Sequence, residues 1–383
     1  MFGKRINLND LGKITIDLNA IKNNYRIIKK RIGKNCKIAS VLKANAYGLG
    51  VRKIAKVLDE LGCEIYFVAT LSEGIELRRI SKKSKILILN GPSCFNGDTY
   101  KYFKSESLIP VINSLNELKS WIKLESNFNN YRIPIALHFD TGMNRLGIPE
   151  FESKKIVKKI NEDNLNIYCI MSHLSSADEK NKKINFLQKK IFDNLSRIMP
   201  MSCLLSIGNS NATFNLVGFN YSFVRSGGAL LGINPTSKKN PLKNVVSLHA
   251  KVLQIRNLKK EKNKVIGYNS SYRVKDELKI AVLGIGYADG YPRNLSNIGH
   301  ATFKKKKLPV VGRISMDYLT IDISELSNKE LKVGNWVELI GKNISIQKVA
   351  NDSETIEYEI LNNLGNRLQK NYIGQKWKLK IFF

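Results

Sequence analysis

The sequence predicts an α/β fold in two parts, an N-terminal eight-stranded parallel barrel and a C-terminal mainly β domain. From about residue 13 to 232, short apolar β-rich runs alternate with longer segments whose apolar residues recur at helical spacing. This alternation is typical of βαβ units and a parallel sheet. About eight such repeats fit a (β/α)8 TIM-type barrel, which typically takes ~250 residues. After Pro235 short alternating strands replace the helical spacing, which indicates a separate β domain.

The expected barrel strands are short runs rich in Ile, Val, Leu and Phe. In chain order they are Ile14–Leu18, Lys37–Lys43, Ile65–Thr70, Ile86–Leu89, Ile109–Ile112, Ile133–Asp140, Ile167–His173, Leu204–Gly208 and Phe223–Leu231. Between them, Gly50–Leu61 and Lys180–Met199 have the apolar periodicity of amphipathic helices.

The strands expected in the second part are shorter and alternate in polarity. They are Val245–Arg256, Leu278–Ile285, Leu308–Val311, Tyr318–Ile323 and Trp336–Leu339. Asn-Pro pairs break the pattern near Asn234–Lys243. We therefore assign residues 13–240 to the barrel, and residues 1–12 and 241–383 to the C-terminal β-strand domain.

Composition argues against a disordered, disulfide-stapled or membrane protein. Apolar residues make up 43% and aromatic residues 9% of the 383 residues, so the chain has ample material for buried cores. The five cysteines form no CxxC pair, which argues against a disulfide framework or a metal site and fits a reducing cytoplasm. We expect no signal peptide, because polar residues soon follow Met1, and no run approaches the ~20 apolar residues of a membrane span.

The formal net charge of +31 would suit a nucleic acid, an acidic surface or an anionic small molecule. The basic residues are spread along the whole chain and form no basic module interleaved with aromatic residues. We therefore expect no specific nucleic-acid partner and attribute the charge to a general bias towards lysine. The nucleic-acid alternative predicts retention on DNA or RNA that depends steeply on salt concentration.

Lys43 is the first candidate catalytic residue. It ends an apolar strand, just before a loop of small residues and a helix. The carboxyl ends of barrel strands hold the active site. A desolvated lysine there has the lowered pKa that Schiff-base formers and general bases need. Taken alone, the position also suits an ordinary surface lysine.

The segment Ser40–Gly50, which contains Lys43, resembles the pyridoxal-phosphate signature of alanine racemases, a family of fold-type III pyridoxal-phosphate enzymes. Further motifs extend the resemblance in the same order over nearly the whole chain. They are Asp140–Gly147, Ser172–Asp178, Asn209–Ala212, Val224–Gly232, Gly286–Arg293, Val311–Asp317 and Tyr358–Ile360. Together these motifs are specific, since each lies at a strand end or in the half of the chain where the family has it.

The resemblance implies a racemase that uses pyridoxal 5'-phosphate and two bases. Lys43 would bind the cofactor covalently and act as the base on the D side of Cα. Tyr287 of the partner subunit would be the base on the opposite face. His173 would hydrogen-bond this tyrosine, and Arg225 would contact the pyridine nitrogen of the cofactor. The phosphate contacts that the resemblance implies are Tyr47, Ser210, Gly227, Gly228 and Tyr358.

The resemblance also implies how the substrate is held. Arg145 and the backbone amide of Met316 of the partner subunit would bind the substrate carboxylate. Residues implied at the entrance, or behind the reacting groups, are His138, Asp178, Tyr291, Arg313 and Asp317. His138 departs from the family, because many members have a carbamylated lysine there whose negative charge orients the arginine. We expect a bound chloride or a neighbouring carboxylate to hold Arg145 instead.

Because Tyr287 and Met316 would act at the partner subunit's site, the resemblance implies an obligate head-to-tail homodimer. The expected activity is the interconversion of L-alanine and D-alanine, an isomerase reaction that supplies D-alanine for peptidoglycan. The alternative is a racemase of serine, lysine or another amino acid on the same fold, because one methylene in such a pocket discriminates by only about 1–3 kcal/mol. A decarboxylase with the same barrel is less favoured, since Tyr287 in its Gly-Tyr-Ala-Asp-Gly setting fits the second base.

Overall fold

The computed structural model describes residues 11–128, 132–261, 264–327, 329–365 and 367–374. Its strands are β1 (Gly12–Asp17), β2 (Lys37–Val41), β3 (Ile65–Val68), β4 (Lys85–Ile88), β5 (Leu108–Ile112), β6 (Ile135–Asp140), β7 (Ile148–Pro149), β8 (Ile167–Met171), β9 (Leu204–Ser206), β10 (Phe223–Ser226), β11 (Val246–Leu258), β12 (Val265–Ile266), β13 (Tyr272–Arg273), β14 (Leu278–Leu283), β15 (His300–Phe303), β16 (Lys306–Pro309), β17 (Leu319–Asp322), β18 (Trp336–Ile340) and β19 (Gln369–Ile373). Its helices are α1 (Leu18–Ile32), α2 (Lys43–Tyr47), α3 (Val51–Glu60), α4 (Leu71–Ile80), α5 (Gly97–Ser105), α6 (Leu115–Glu125), α7 (Ser153–Glu162), α8 (Lys183–Ile198), α9 (Ser210–Asn215), α10 (Ile346–Asp352) and α11 (Glu357–Asn363).

The chain divides into two compact units. One unit comprises Ile21–Ala46 and Gly50–Lys243, and the other comprises the described residues of Met1–Ala20, Tyr47–Leu49 and Asn244–Phe383. None of the helices in the described part of the chain combines the length and apolar character that a membrane-spanning helix needs.

The first unit is a parallel β-barrel. Its sheet runs in the order β10-β2-β3-β4-β5-β6-β8-β9, and the two-residue β7 pairs with β6. β10 pairs with β2, and a bridge between Asn209 and Arg225 joins the chain after β9 to β10. The predicted (β/α)8 barrel is therefore confirmed. Buried side chains from the strands fill its interior as a core cluster, which contains Ala39, Ile65, Phe67, Leu87, Ile109, Val111, Ala136, Cys169, Met171 and Phe223.

Helices between the barrel strands form where the sequence has apolar residues at helical spacing. In α3 the buried residues Val51, Ile54, Ala55, Val57 and Leu58 follow the period of one helix face. α3 and α8 lie inside the predicted helices Gly50–Leu61 and Lys180–Met199. A capping box starts α4, because Thr70 accepts a hydrogen bond from the amide of Glu73 while the Glu73 carboxylate accepts one from the amide of Thr70.

The second unit is built on a mainly antiparallel sheet around the long strand β11. β11 pairs with β1, β14 and β18, and β15 and β16 form a hairpin. Strands β12, β13, β15 and β19 and helices α10 and α11 were not predicted. The two helices are short, so the unit is mainly β, as expected.

One predicted barrel strand belongs to this second sheet instead. The run Ile14–Leu18 corresponds to β1, which pairs antiparallel with β11 and parallel with β19. Its residues alternate between buried and half-buried, whereas β3 and β5 of the barrel are buried throughout. An alternating strand suits a sheet with one covered face, and a strand buried on both faces suits a parallel barrel. The prediction of a barrel strand at Ile14–Leu18 was therefore wrong.

Candidate active site

Residues predicted for the site follow the carboxyl ends of five barrel strands. Lys43 follows β2, Arg145 follows β6, His173 follows β8, Ser210 follows β9, and Arg225 lies in β10 with Gly227 and Gly228 just after it. This is the end of a parallel barrel at which active sites form. His138 lies within β6 and is buried, and Asp178 is exposed in the loop after β8.

Lys43 is followed by one left-handed turn. Ala44, Asn45, Ala46 and Tyr47 have φ between 52° and 55°, a conformation that costs roughly 1–2 kcal/mol for each L-residue. Contacts within the barrel unit compensate for this cost. Glu73 Oε1 accepts a hydrogen bond from the Ala44 amide (2.6 Å), and the Asn45 side chain accepts one from the amide that starts α3 (2.8 Å). The turn therefore holds the Lys43 backbone in one conformation.

Burial and charge both act on the Lys43 amine. Its side chain reaches solvent, yet the surrounding protein lowers its pKa, and the positive charge of Arg145 lowers the pKa further. The carboxylate of Glu73 opposes these effects and raises it. The result is an accessible primary amine that loses its proton more readily than an ordinary lysine, as a nucleophile or base requires.

Arg225, a buried cation, lies beside the half-buried ring of His173 at the barrel mouth. Arg225 donates to the carbonyl (2.9 Å) and hydroxyl (2.8 Å) of Ser206, and to the carbonyl of Ser172. Its Nη2 also lies 3.3 Å from His173 Nδ1. Among the described residues, these hydrogen-bond partners of Arg225 are all uncharged. Burial lowers the pKa of His173 to about 3, and the charge of Arg225 adds to this effect. A buried cation with neutral partners can donate to a neutral or anionic acceptor on a ligand.

His138 is held by a residue that the sequence did not reveal, Asn113. The Asn113 amide donates to the carbonyls of Leu89 and Val111, both at 3.2 Å. Its Oδ1 therefore faces His138 Nδ1, at 2.9 Å, and must accept the proton there. Burial first and the charge of Arg225 second lower the pKa of His138 to about 4. His138 is thus neutral at physiological pH, with an unprotonated Nε2.

The turn after β10 and the start of α9 form a small polar cradle. Ser210 Oγ accepts hydrogen bonds from the amides of Gly227 (3.2 Å) and Ala229 (3.3 Å). Gly227 and Gly228 are buried and carry no side chain, so a phosphate oxygen can approach the backbone amides. The expected strand Phe223–Leu231 ends at Ser226, because the residues after it fold into turns such as the one closed by the Leu230 amide and the Gly227 carbonyl.

The second unit contains the other predicted residues. Tyr287 and Met316 lie on two loops joined by backbone hydrogen bonds, from the Tyr287 amide to the Ser315 carbonyl (3.1 Å) and from the Ala288 amide to the Met316 carbonyl (3.0 Å). The side chains of Tyr287 and Met316 are 42% and 53% exposed.

Five further predicted residues also lie in the second unit, and one of them, Asp317, is half-buried next to Met316. The rings of Tyr47 and Tyr358 have centroids 5.8 Å apart. Arg313 is half-buried. Tyr291 is 1% exposed, which fits support from behind the surface rather than a place at an entrance.

Sequence reasoning missed three residues that organise the barrel mouth: Glu73, Asn113 and Gln188. The amide of Gln188 donates to the carbonyl of His173 (2.9 Å), and its Oε1 accepts from the amide of Ser175 (3.0 Å). The Thr70-x-x-Glu73 pattern signals a capping box and was readable from the sequence. The contacts of Asn113 and Gln188 are long-range and leave no local pattern.

Comparisons with known proteins agree over both units. The model of the alanine racemase N-terminal domain matches residues 16–235, and that of the C-terminal domain matches residues 245–372. The alanine racemase of Rickettsia bellii is 39% identical over 345 residues, which cover 88% of this chain and 82% of that protein. The catabolic alanine racemase of Mesorhizobium japonicum is 39% identical over 365 residues, which cover 94% of this chain and 93% of that protein.

A solved structure gives the same result. The crystal structure of alanine racemase from Bartonella henselae with covalently bound pyridoxal phosphate has a TM-score of 0.88 and 36% identity, over 95% of this chain and 99% of that chain. The family models, the sequence relatives and the solved structure thus agree with one another over both units. The chain belongs to the alanine racemase family.

Proposed function

We propose that this protein interconverts L-alanine and D-alanine, with pyridoxal 5'-phosphate bound covalently to Lys43. The observation that carries the proposal is an accessible amine with a lowered pKa at the same barrel mouth as the contact between Arg225 and His173. Relatives over nearly the full length of the chain are named alanine racemases, which favours alanine over serine, lysine or another amino acid. When bound, the cofactor supplies the electron sink that makes the Cα proton of an amino acid removable.

The residues present fit this cofactor. Lys43 offers the amine that bonds to it, and Arg225 offers a guanidinium that donates to the pyridine nitrogen. Because an arginine does not give up its proton, this nitrogen would stay an acceptor. The Ser210 hydroxyl and the Gly228 amide would donate to the phosphate, and the Gly227 amide, which donates to Ser210 Oγ in this structure, would exchange that partner for a phosphate oxygen. By family resemblance, Tyr47 and Tyr358 are also assigned to the phosphate.

Two bases on opposite faces of Cα would perform the inversion. Lys43 Nζ takes or returns the proton on the D side, and Tyr287 Oη of the partner subunit takes or returns it on the other. A phenol with the ordinary pKa of about 10 is a weak base at neutral pH unless a donor stabilises the phenolate. The Nε2–H of His173 is such a donor, because Arg225 occupies Nδ1.

Substrate binding in this proposal falls to Arg145 and to the backbone amide of Met316 of the partner subunit, which would hold the carboxylate. Asp178, Arg313 and Asp317 are proposed to border the entrance. Neutral His138 presents an unprotonated nitrogen within the barrel, and the charge of Arg145 helps to lower its pKa. His138 is therefore a candidate acceptor for the Arg145 guanidinium, beside the expected chloride or carboxylate.

A homodimer with shared sites completes the proposal. Tyr287, Met316 and Tyr318 lie on adjoining loops of the second unit, and their large side chains are 42%, 53% and 50% exposed. Clustered apolar exposure of this kind marks an interaction surface. In the cell, the protein would supply D-alanine for peptidoglycan, and a cytoplasmic location stays a prediction from the sequence.

The proposal is tested by incubating the purified protein with pyridoxal phosphate and L-alanine and measuring D-alanine by chiral chromatography. Borohydride reduction followed by mass spectrometry is expected to place the cofactor on the peptide that contains Lys43. Lys43→Ala removes both signals. Lys37→Ala, at the opposite end of β2 and ion-paired with Glu64, is the matched control and keeps both. Absence of D-alanine with cofactor bound to Lys43 would contradict the proposed reaction.

A further inference from the structure

Arg367 makes three charged hydrogen bonds to the two loops that carry Tyr287 and Met316. Its Nε lies 3.0 Å from Asp289 Oδ1 and its Nη2 lies 3.2 Å from Asp289 Oδ2. The same Nη2 lies 2.8 Å from Asp317 Oδ1. Asp289 is two residues after Tyr287, and Asp317 is next to Met316. One guanidinium therefore bridges both loops.

The Asp289 carboxylate also stabilises the turn formed by residues 286–290, which carries Tyr287 and is called the Tyr287 turn below. Its Oδ2 accepts a hydrogen bond from the Gly286 amide (3.0 Å), and its side chain is 5% exposed. The backbone of the segment that bears Arg367 touches the same turn, since the Gly365 amide donates to the Asp289 carbonyl (2.9 Å). Because a nearly buried carboxylate requires partners, removal of Arg367 leaves the turn with an unbalanced charge.

The loops that carry Tyr287 and Met316 pack so closely that a small displacement of either backbone would change the contact between them. A Cβ at Gly286 would clash with the carbonyl oxygens of Ser315 and Met316. The Tyr287 turn and the Met316 loop are thus in backbone contact, and the two hydrogen bonds between them define their spacing. Arg367 adds the side-chain bridge across the same junction. Its guanidinium has the planar fork that a carboxylate matches with two hydrogen bonds, which a lysine cannot reproduce.

We propose that Arg367 is a positioning residue for the second base: through Asp289 and Asp317 it fixes the Tyr287 phenol relative to the Met316 amide. This inference rests on the proposed function, in which the two groups act on one substrate. A displacement of about 1 Å at a reacting group can cost roughly 100-fold in rate. Loss of the bridge is therefore expected to slow the Tyr287-dependent step and to spare the step that depends on Lys43.

Hydrogen exchange of the full-length protein tests the positioning without any catalytic readout. In Arg367→Met, the amides of Tyr287 and Ala288, which bond to the Met316 loop, are expected to exchange roughly tenfold faster than in the parent protein. Arg367→Lys keeps the charge but not the fork, and is expected to recover part of the protection. Lys306→Met, which removes the ion pair of Lys306 with Glu330 in the same unit (3.1 Å), is the matched control. Unchanged protection in Arg367→Met would overturn the proposal.

Exchange of the Cα proton in D2O tests the catalytic consequence. From D-alanine, the Lys43 face incorporates deuterium without inversion, so the ratio of exchange to inversion is expected to rise roughly 10- to 100-fold in Arg367→Met. If the substitution only reduced the amount of folded protein, the exchange rate and the inversion rate would fall equally. An unchanged ratio of exchange to inversion would therefore also overturn the proposal. If the parent protein itself fails to invert alanine, the proposed function is wrong. In that case the hydrogen-exchange result still decides the positioning role of Arg367.

Discussion

Nη2 of Arg225 lies 3.3 Å from Nδ1 of His173, and this contact fixes where the histidine carries its proton. A guanidinium has only donors, so Nδ1 must accept and the proton of the neutral ring resides on Nε2. The arginine thus does two things for its neighbour: it selects the tautomer, and its charge helps to keep the ring neutral.

Replacing Arg225 by Gln is expected to raise the pKa of His173 from about 3 towards the ordinary value of 6.5, because one of the causes of the lowered pKa is removed. NMR titration can follow this directly, since the chain has four histidines. Arg52→Gln, an exposed position on α3, serves as the control and leaves the titration unchanged. A His173 pKa that stays near 3 in Arg225→Gln would contradict the contribution of Arg225 and leave burial and the other nearby charges as its causes.

The stability of the protein is expected to fall in mild acid through His138. Its folded-state pKa is about 4, below the ordinary 6.5, so the unfolded chain binds this proton first as the pH falls below about 6.5. Between pH 7.5 and pH 5 this histidine should remove about 2 kcal/mol from the free energy of unfolding. Urea unfolding at the two pH values measures the change. His138→Gln lacks this part of the dependence, and equal pH slopes in the two proteins would contradict the prediction.

Glu73→Gln is expected to lower the pKa of Lys43 further, because the carboxylate that raises it is lost. Glutamine has one acceptor oxygen, which can keep the hydrogen bond from the Ala44 amide, whereas its NH2 group cannot accept the bonds that Glu73 Oε2 takes from the amides of Ala69 (2.8 Å) and Thr70 (3.2 Å). The rate at which a neutral amine-reactive reagent labels Lys43, read by mass spectrometry as a function of pH, should shift to lower pH. Glu76→Gln on the same helix, whose carboxylate lies 4.0 Å from Arg52, is the control. Identical profiles for both variants would refute the role of Glu73.

Gly290 is expected to be irreplaceable in the Tyr287 turn. It has φ +89°, and a Cβ there would clash with the carbonyl oxygen of Asn363. Gly334 has a similar φ of +87° with open space around it. Gly334→Ala should therefore cost about 1–2 kcal/mol for the left-handed backbone alone, and Gly290→Ala roughly 2–5 kcal/mol, because overpacking is added. Thermal unfolding measures both, and equal losses would contradict the clash.

The barrel and the residues proposed to react at its mouth were predictable because local patterns specify where they lie. The strand before Lys43 is an apolar run with a polar end, and the segments around His173 and Arg225 carry motifs that occur in the expected order. The β1 strand was misassigned because a run of five or six residues does not reveal its pairing partner. Only the buried and half-buried alternation of Gly12–Asp17 carried that information.

The residues that contact the proposed reacting groups were harder to predict than those groups themselves. Asn113 reaches His138 across 25 positions of sequence, and Arg367 reaches Asp289 across 78. No periodicity or spacing connects such pairs, because the fold alone brings them together. Glu73 is an intermediate case: its capping role has a local signature, but its hydrogen bond to Ala44 depends on β2 and β3 being neighbours.

The most direct test of two bases at a shared site is a heterodimer of two inactive variants. Lys43→Ala and Tyr287→Phe subunits with different tags are co-expressed and purified through both tags, so that every dimer contains one of each. One composite site then has both Lys43 and Tyr287, and the other has neither. We expect about half of the activity of the parent dimer, since one of the two equivalent sites of a symmetric dimer is intact. Activity no higher than that of the separate variants would contradict the shared site and the pairing of Lys43 with Tyr287.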